Sequence, residues 1–336
     1  LTPGMKVDDK ILKPILASLY FHQSPYEFSV LPVEILGNVY EQFLGKVIRL
    51  TSGYLAKIEE KPEVKKAGGV RYTPAYIVEY IVKNTVGKLI AGKSPQQLKG
   101  FRILDPACGS GSFLLGAYRF LLDYYLSWYI ANDPEKHRKA VWRAGEVWRL
   151  ATAERKRILL EHIYGVDIDR QAVEVTKLSL LLKVLETETN ESLGHQLTLL
   201  HQEAKERALP NLDHNIKCGN SLIGPDYFSG QLIPNDDELR RVNPFDWATE
   251  FPEAMRAGGF DCVIGNPPYG FHQIHSDKLK PYFKNHFVAS QGSYEHYFLF
   301  YERSLKLLRP NGLHGFIVPV TWLTIPSAKS LRQFIL

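Results

Sequence analysis

Residues 261–270 carry the most specific chemistry of this chain: an apolar run, DCVIG, delivers Asn266, Pro267, Pro268 and Tyr269 to a single turn. Each proline fixes φ near −65° and lacks an N–H, so the carbonyls before and between them have no local donor. A side-chain amide, an outward proline carbonyl and an aromatic face suit a planar ring with an exocyclic amino group, such as an adenine lifted out of a duplex. The bland alternative is a proline-rich turn beside a core tyrosine.

Residues 105–113, DPACGSGSF, follow the short apolar run FRIL and precede a helical pattern over 114–125. Strand, glycine turn and helix is the order of a nucleotide site. Gly109 and Gly111 let the backbone approach a ligand, and the following helix offers free N–H groups at its start. The loop departs from G-x-G-x-x-G, because Phe113 stands where a third small residue would be. Asp105 ahead of it fits a phosphate poorly and suits a ligand with an ammonium group and no pyrophosphate. A third run, IYGVDID at 163–169, ends in carboxylates before a helix with apolar Ala172, Val173, Val175, Leu178, Leu181 and Leu182. An acid at the end of the second strand is where nucleotide folds hold ribose hydroxyls, which makes Asp167 the candidate, with Ile168 against the adenine face. Asp169 reads as a helix N-cap. The fourth run, 215–222, ends in Asn220, a candidate reader of an adenine amino group and, taken alone, a common turn residue.

Asp105, Asp167, Asn220 and Asn266 each fall at the carboxyl end of a predicted strand, with helical pattern between. This predicts an α/β, doubly wound, mostly parallel Rossmann-like sheet with all four along one crevice. The interval from Asp105 to Asp167 is roughly three times the ~20 residues typical between glycine loop and ribose acid. A helical insertion over about 121–160 accounts for the excess. The basic residues of 136–157, interleaved with Trp142 and Trp148, read as the polar face of those helices, with DNA contact as the alternative.

The 336 residues are 45% hydrophobic, enough for a large core and about two domains. We divide them into an N-terminal helical segment and linker, 1–65, and a core, 66–336. Glu59, Glu60, Lys61, Glu63 and Lys65 carry the E-x-K letters of a nuclease but sit in a charged run that reads as solvated linker. A net charge of +5 permits nucleic-acid contact without requiring it. No apolar stretch approaches the ~18 residues of a membrane span and no signal peptide is visible, so a soluble cytoplasmic protein without a membrane partner is expected. Cys108, Cys218 and Cys262 have no metal-ligand spacing and read as buried thiols of a reducing compartment, with no metal expected.

With these motifs in hand, the chain over residues 66–336 resembles the AdoMet-dependent DNA adenine-N6 methyltransferases of the gamma order, in which cofactor motifs precede NPPY. The resemblance implies a methyltransferase fold, S-adenosyl-L-methionine as cofactor and double-stranded DNA as partner. DPACGSGSF resembles the methionine-binding loop (Asp105, Ala107, Gly109, Gly111), GVDID the ribose acid (Asp167, Ile168) and GNSL the adenine-contact segment (Asn220). NPPY, 266–269, resembles the catalytic motif. GGVRYTP at 68–74 resembles the segment that closes over the methionine carboxylate, which puts the Thr73 hydroxyl on that carboxylate; a helix cap followed by Pro74 is the structural alternative. Phe300 aligns with an apolar contact to the cofactor adenine, or is a core phenylalanine.

LGNVYEQFL at 36–44 resembles the helix that precedes the core in type IIG and related restriction-modification proteins, which join nuclease and target recognition domains to the methyltransferase. The chain starts without methionine and stops inside a predicted helix, 327–336, so we expect a fragment that lacks the end of the core and the recognition domain. Such a piece is expected to hold AdoMet and to methylate DNA poorly. Competing readings are a protein glutamine-N5 or RNA guanine-N2 methyltransferase, whose target nitrogens need the same acceptors, and a non-catalytic DNA-binding scaffold.

Overall fold

The computed structural model describes residues 8–18, 46–50, 56–60, 73–186, 209–229, 236–270 and 279–336. Helix α1 (Asp9–Ser18) is followed by strands β1 (Lys46–Leu50) and β2 (Ala56–Glu60), which pair antiparallel. Glu59 and Glu60 are therefore strand residues and not the expected linker. The helix expected over 36–44 lies outside the described residues. Next come α2 (Ala75–Asn84), α3 (Val86–Ile90), β3 (Ile103–Asp105), α4 (Ser112–Ala131), β4 (Val141–Ala144), β5 (Val147–Leu150), α5 (Thr152–His162), β6 (Ile163–Asp167) and α6 (Arg170–Leu185). The remainder holds β7 (Ile216–Cys218), α7 (Asp236–Val242), α8 (Trp247–Glu250), α9 (Pro252–Arg256), β8 (Phe260–Gly265), α10 (Leu279–His286), α11 (His296–Leu307), β9 (Leu308–Phe316) and α12 (Lys329–Ile335).

One five-stranded sheet organises these elements, in the order β7-β6-β3-β8-β9, and all four pairings are parallel. From β3 the chain steps outward to β6 and β7, then crosses back to β8 and β9, so the winding reverses between β3 and β8. Alternate strand residues feed opposite faces, the period-two signature of strands covered on both sides. On one face Ile103, Ile163, Ile216, Cys262 and Ile264 pack with Val78 and Val82 of α2, the apolar side of α4, and Val173, Leu180 and Val184 of α6. On the other, Leu104, Val166, Phe260 and Val263 pack with Phe245, Trp247, Phe251, Ala254 and Leu307. The doubly wound expectation holds. A third cluster joins α10, α11 and α12 to Leu222 and Ile223 beyond β7.

Helix α4 is apolar almost all round and is rich in tyrosine, and a buried phenol needs a partner. Tyr118 donates to the Arg155 carbonyl at 2.9 Å, Tyr124 to the Ile90 carbonyl at 2.6 Å, and Tyr129 to Glu154 Oε1 at 2.7 Å. Tyr125 lies 2.8 Å from His162 Nε2, while His162 Nδ1 is 2.7 Å from the Phe101 carbonyl. A carbonyl only accepts, so Nδ1 carries the proton and Nε2 accepts from Tyr125. Burial lowers the His162 pKa and keeps the ring neutral.

The insertion differs from the expected run of helices. Between α4 and α5 lie a short 3-10 turn, Pro134–His137, and a hairpin in which Val141 pairs with Leu150 and Ala144 with Val147. Val141 and Leu150 are buried against the α4 core, and Gly145 in the two-residue turn has φ 62°. The alternation of Val, Trp and Arg in VWRA and VWRL is a strand pattern that the density of positive charge obscured. Nor is the charge all solvated. Arg155 is buried with a bond to the Lys183 carbonyl, and Arg157 pairs with Glu154 and Glu161.

The start of α2 is held in place by close packing on α4. A Cβ at Gly116 would stand 2.4 Å from Val78 Cγ1. In an exposed helix Gly→Ala gains about 0.8–1.0 kcal/mol, but here the clash should reverse the sign. Urea unfolding of Gly116→Ala is expected to show a loss of about 1–3 kcal/mol, recovered in large part by adding Val78→Ala; a stabilised single variant would mean the helices are not in contact at this point.

Candidate active site

Asp105 ends β3 and Asp167 ends β6; Asn220 follows β7 by two residues and Asn266 directly follows β8. With the strands ordered β7-β6-β3-β8, the four side-chain positions form one row along the carboxyl edge of the sheet, Asn220, Asp167, Asp105, Asn266. The winding reversal falls between the last two, where open α/β sheets form a ligand crevice.

The glycine loop is held across the row. Cys108 N–H donates to the Val166 carbonyl at 3.0 Å, Ala107 N–H to Asp105 Oδ1 at 3.0 Å, and Gly109 N–H to Asp167 Oδ2 at 2.8 Å. Asp167 Oδ1 accepts from Asp169 N–H at 2.8 Å, so both its oxygens grip backbone while lone pairs remain for a ligand's hydroxyls. Gly109 and Gly111 both have positive φ, 52° and 86°, but for different neighbours. A Cβ at Gly111 would meet Thr176 Cγ2 at 2.8 Å, whereas beside Gly109 there is open space within 4 Å. Gly111 is there for packing on α6, and Gly109 leaves room on the crevice side.

Ile168, beside Asp167, is 51% exposed although apolar, which suits a flat ring laid against it. Asp169 is the N-cap of α6, accepting from Gln171 N–H at 2.8 Å. Asn220 spends Oδ1 on the Leu222 N–H at 3.1 Å, the turn role that its residue type suggests. Phe300 lies buried in the third cluster, against which Ala107 packs.

Two further residues tie the loop down. Thr176 donates to the Gly109 carbonyl at 2.8 Å, and Ser221 donates to the Pro106 carbonyl at 2.5 Å. Thr176 stands in no motif and Ser221 is the serine of GNSL, and only the fold brings the two to the loop.

In the NPPY turn Pro267 is buried, while Asn266, Pro268 and Tyr269 are half-buried. Among the described residues no hydrogen bond reaches the Pro267 carbonyl, which leaves it an available acceptor. Tyr269 Oη lies 2.6 Å from Asn266 Oδ1 and 2.8 Å from the Ile317 carbonyl. Thr73 is buried and does not cap α2, whose first turn closes on Pro74 without any side-chain bond. Its hydroxyl instead accepts from Asn266 Nδ2 at 3.1 Å.

A family model described as Eco57I restriction-modification methylase matches residues 161–336. The chain belongs to the Eco57I methylase family. A type II restriction enzyme and methyltransferase of Escherichia coli, RM.Eco57I, is 35% identical over 325 residues, which is 96% of this chain and 30% of the relative. The adenine-specific methyltransferase PglX of Streptomyces coelicolor is 27% identical over 257 residues, 75% of this chain and 18% of the relative. The chain thus spans about a third or less of the length of these relatives. Among solved structures, a nuclease-deletion mutant of the type ISP restriction-modification enzyme LlaGI bound to a DNA substrate mimic superposes with TM-score 0.55 at 15% identity. The superposition covers 99% of this chain and 23% of that one and shows a shared fold.

Electrostatically this crevice is costly. Burial, opposed by the Ala107 N–H and reinforced by the Asp167 charge, pushes Asp105 up to about 8. Burial likewise pushes Asp167 up to about 6 against its backbone donors. Burial, with the charges of Asp167 and Asp105, raises the Cys108 thiol well above its usual range and leaves it unreactive. For Asp105 the folded pKa exceeds the unfolded one, about 3.9. Ionisation therefore costs the folded state an amount that is nil below the lower value, grows as pH rises, and levels off above about 8. Urea unfolding of the ligand-free chain should show Asp105→Asn gaining on wild type steadily from pH 4 to pH 8; a difference independent of pH would contradict a buried, protonated carboxyl.

Proposed function

We propose that this chain is the methyltransferase part of a site-specific, adenine-specific DNA methyltransferase within a restriction-modification protein, which moves a methyl group from AdoMet to N6 of a flipped adenine. The observation that carries the reading is the adjacency of β3 and β8. It puts the glycine loop with its carboxylate and the Asn-Pro-Pro-Tyr turn on neighbouring strands, on the two sides of the winding reversal. Family membership and the adenine-specific relatives support the same target.

The residues fit AdoMet chemically. Gly109 faces open space, Asp167 has lone pairs for the ribose hydroxyls, exposed Ile168 offers an apolar surface to the adenine, and Asp105 offers a buried carboxyl to the ammonium. Bound AdoMet supplies an electrophilic methyl on a positively charged sulfur. Nuclease and target recognition domains of the same parent protein, and a cytoplasmic location, belong to this proposal; no helix of the described residues is long and apolar enough to cross a membrane.

Asn266 Oδ1 and the Pro267 carbonyl accept the two N6 protons of the target. That draws the nitrogen lone pair out of conjugation with the ring and aims it, a positioning and electrostatic effect that needs no dedicated base. Once the methyl has left the sulfonium for N6, with the sulfur keeping the bond electrons as a neutral thioether, one N6 proton is acidic and leaves to water. Tyr269 offers its ring to the base from the same rigid turn. The neighbouring His272 and His275 lie outside the described residues.

Calorimetric titration of AdoMet into the chain should give saturable binding that Asp167→Ala abolishes. In the full-length protein Asn266→Ala should retain AdoMet affinity while methyl transfer falls by about 10²–10³-fold. Undiminished transfer by that variant would remove Asn266 from the chemistry, and transfer to a protein amide or an RNA guanine in place of DNA adenine would replace the substrate.

A further inference from the structure

The Asn266 carboxamide has two ends of nearly equal size and opposite hydrogen-bonding character, and the proposed transfer can use only one. An amino group that must give up a proton needs Oδ1; a carboxamide turned by 180° presents N–H to N–H. Shape does not discriminate the two orientations, so the hydrogen bonds around the amide must.

Thr73 meets the nitrogen end, 193 positions away in sequence: Nδ2 donates to its hydroxyl oxygen at 3.1 Å. Thr73 is only 6% exposed, so water competes poorly for that contact. At the opposite end Oδ1 is 2.6 Å from Tyr269 Oη, which also reaches the Ile317 carbonyl at 2.8 Å. A phenol has one proton, and here two acceptors compete for it. The oxygen end therefore has a partner that can turn elsewhere without losing a hydrogen bond.

We propose that Thr73 is a positioning residue for Asn266. Its hydroxyl holds the nitrogen end of the carboxamide and so fixes Oδ1 toward the target amine, while the Tyr269 hydroxyl turns to donate to the Ile317 carbonyl as the amine takes its place on Oδ1. This rests on the methyl-transfer reading and deepens it, adding to the NPPY turn a residue from the segment ahead of α2. Thr73 thereby links two parts of the crevice, since α2 packs on the helix that follows the glycine loop.

The test has two arms. In the ligand-free chain labelled with 15N-asparagine, with the Asn266 side-chain signals assigned by their loss in Asn266→Ala, the Nδ2 protons are followed by exchange with water. Thr73→Val should speed their exchange about fivefold or more, Thr73→Ser should leave them near wild type, and Tyr269→Phe should not deprotect them. In the full-length protein Thr73→Val should slow single-turnover methyl transfer about 10–100-fold, Thr73→Ser should restore it to within about threefold, and the penalty should vanish in an Asn266→Ala background. Deprotection by Tyr269→Phe in place of Thr73→Val would show the reverse amide orientation and overturn the proposal, as would a Thr73→Val penalty that persists without Asn266. A wild-type protein that does not methylate DNA adenine would sink the functional reading alone; the exchange arm would still decide whether Thr73 sets the direction of the amide.

Discussion

Everything in the crevice depends on how closely β8 approaches the end of β3. A Cβ at Gly265 would stand 2.6 Å from Asp105 Oδ1, so the strand that delivers Asn266 can lie beside the carboxylate only because its last residue has no side chain. That contact sits where the winding reverses, and no crossover helix covers the sheet edge there. Helix packing supports it from behind: α4 leaves the glycine loop, α2 packs on α4, and Thr73, two residues ahead of α2, reaches back to Asn266. Loop, amide and threonine come from distant parts of the sequence and share one frame.

The second theme is that binding chemistry has been assembled at the expense of the ligand-free state. Asp105 and Asp167 sit on adjacent strands, and each raises its pKa by burial; the charge of Asp167 adds to the effect on Asp105. Both are held by backbone N–H groups, which partly offset the desolvation and keep the loop in place. A cationic, hydroxyl-bearing ligand supplies what these groups lack, a positive charge and hydrogen-bond donors. The protein then recovers on binding part of what folding cost, which is how buried carboxyls at functional sites generally differ from surface ones.

Much of this frame was legible in the sequence because buried parallel strands read as short apolar runs, and the first polar residue after each run marks the strand end. Asp105, Asp167 and Asn266 were found that way, and the N-cap role of Asp169 followed from local chemistry. Local reading failed where partners are remote or where one signal hides another. Thr73 reads as a contact to the methionine carboxylate or as a helix cap, and neither reading anticipates that its hydroxyl bonds Asn266; Thr176 and Ser221 reach the glycine loop from another helix and another strand turn. In the insertion, charge density concealed a period-two hairpin, and at Glu59 and Glu60 it concealed a strand.

Correcting the insertion also moves its charge. Helix α4 starts at the glycine loop and, at about 1.5 Å per residue, its 20 residues carry the chain about 30 Å away. His137 packs on Tyr129 and Trp128 near the far end of that helix, and the hairpin follows directly. The basic residues of 136–157 therefore stand away from the crevice. Several are already paired: Lys136 with Asp133, Arg138 with Glu135, and Arg157 with Glu154 and Glu161. On the proposed reading, a duplex that delivers a base to Asn266 has to lie against the carboxyl edge of the sheet, so its phosphates must be met by elements on that edge. The insertion serves instead to cover the tyrosine-rich side of α4, the helix that leaves the glycine loop and packs against α2.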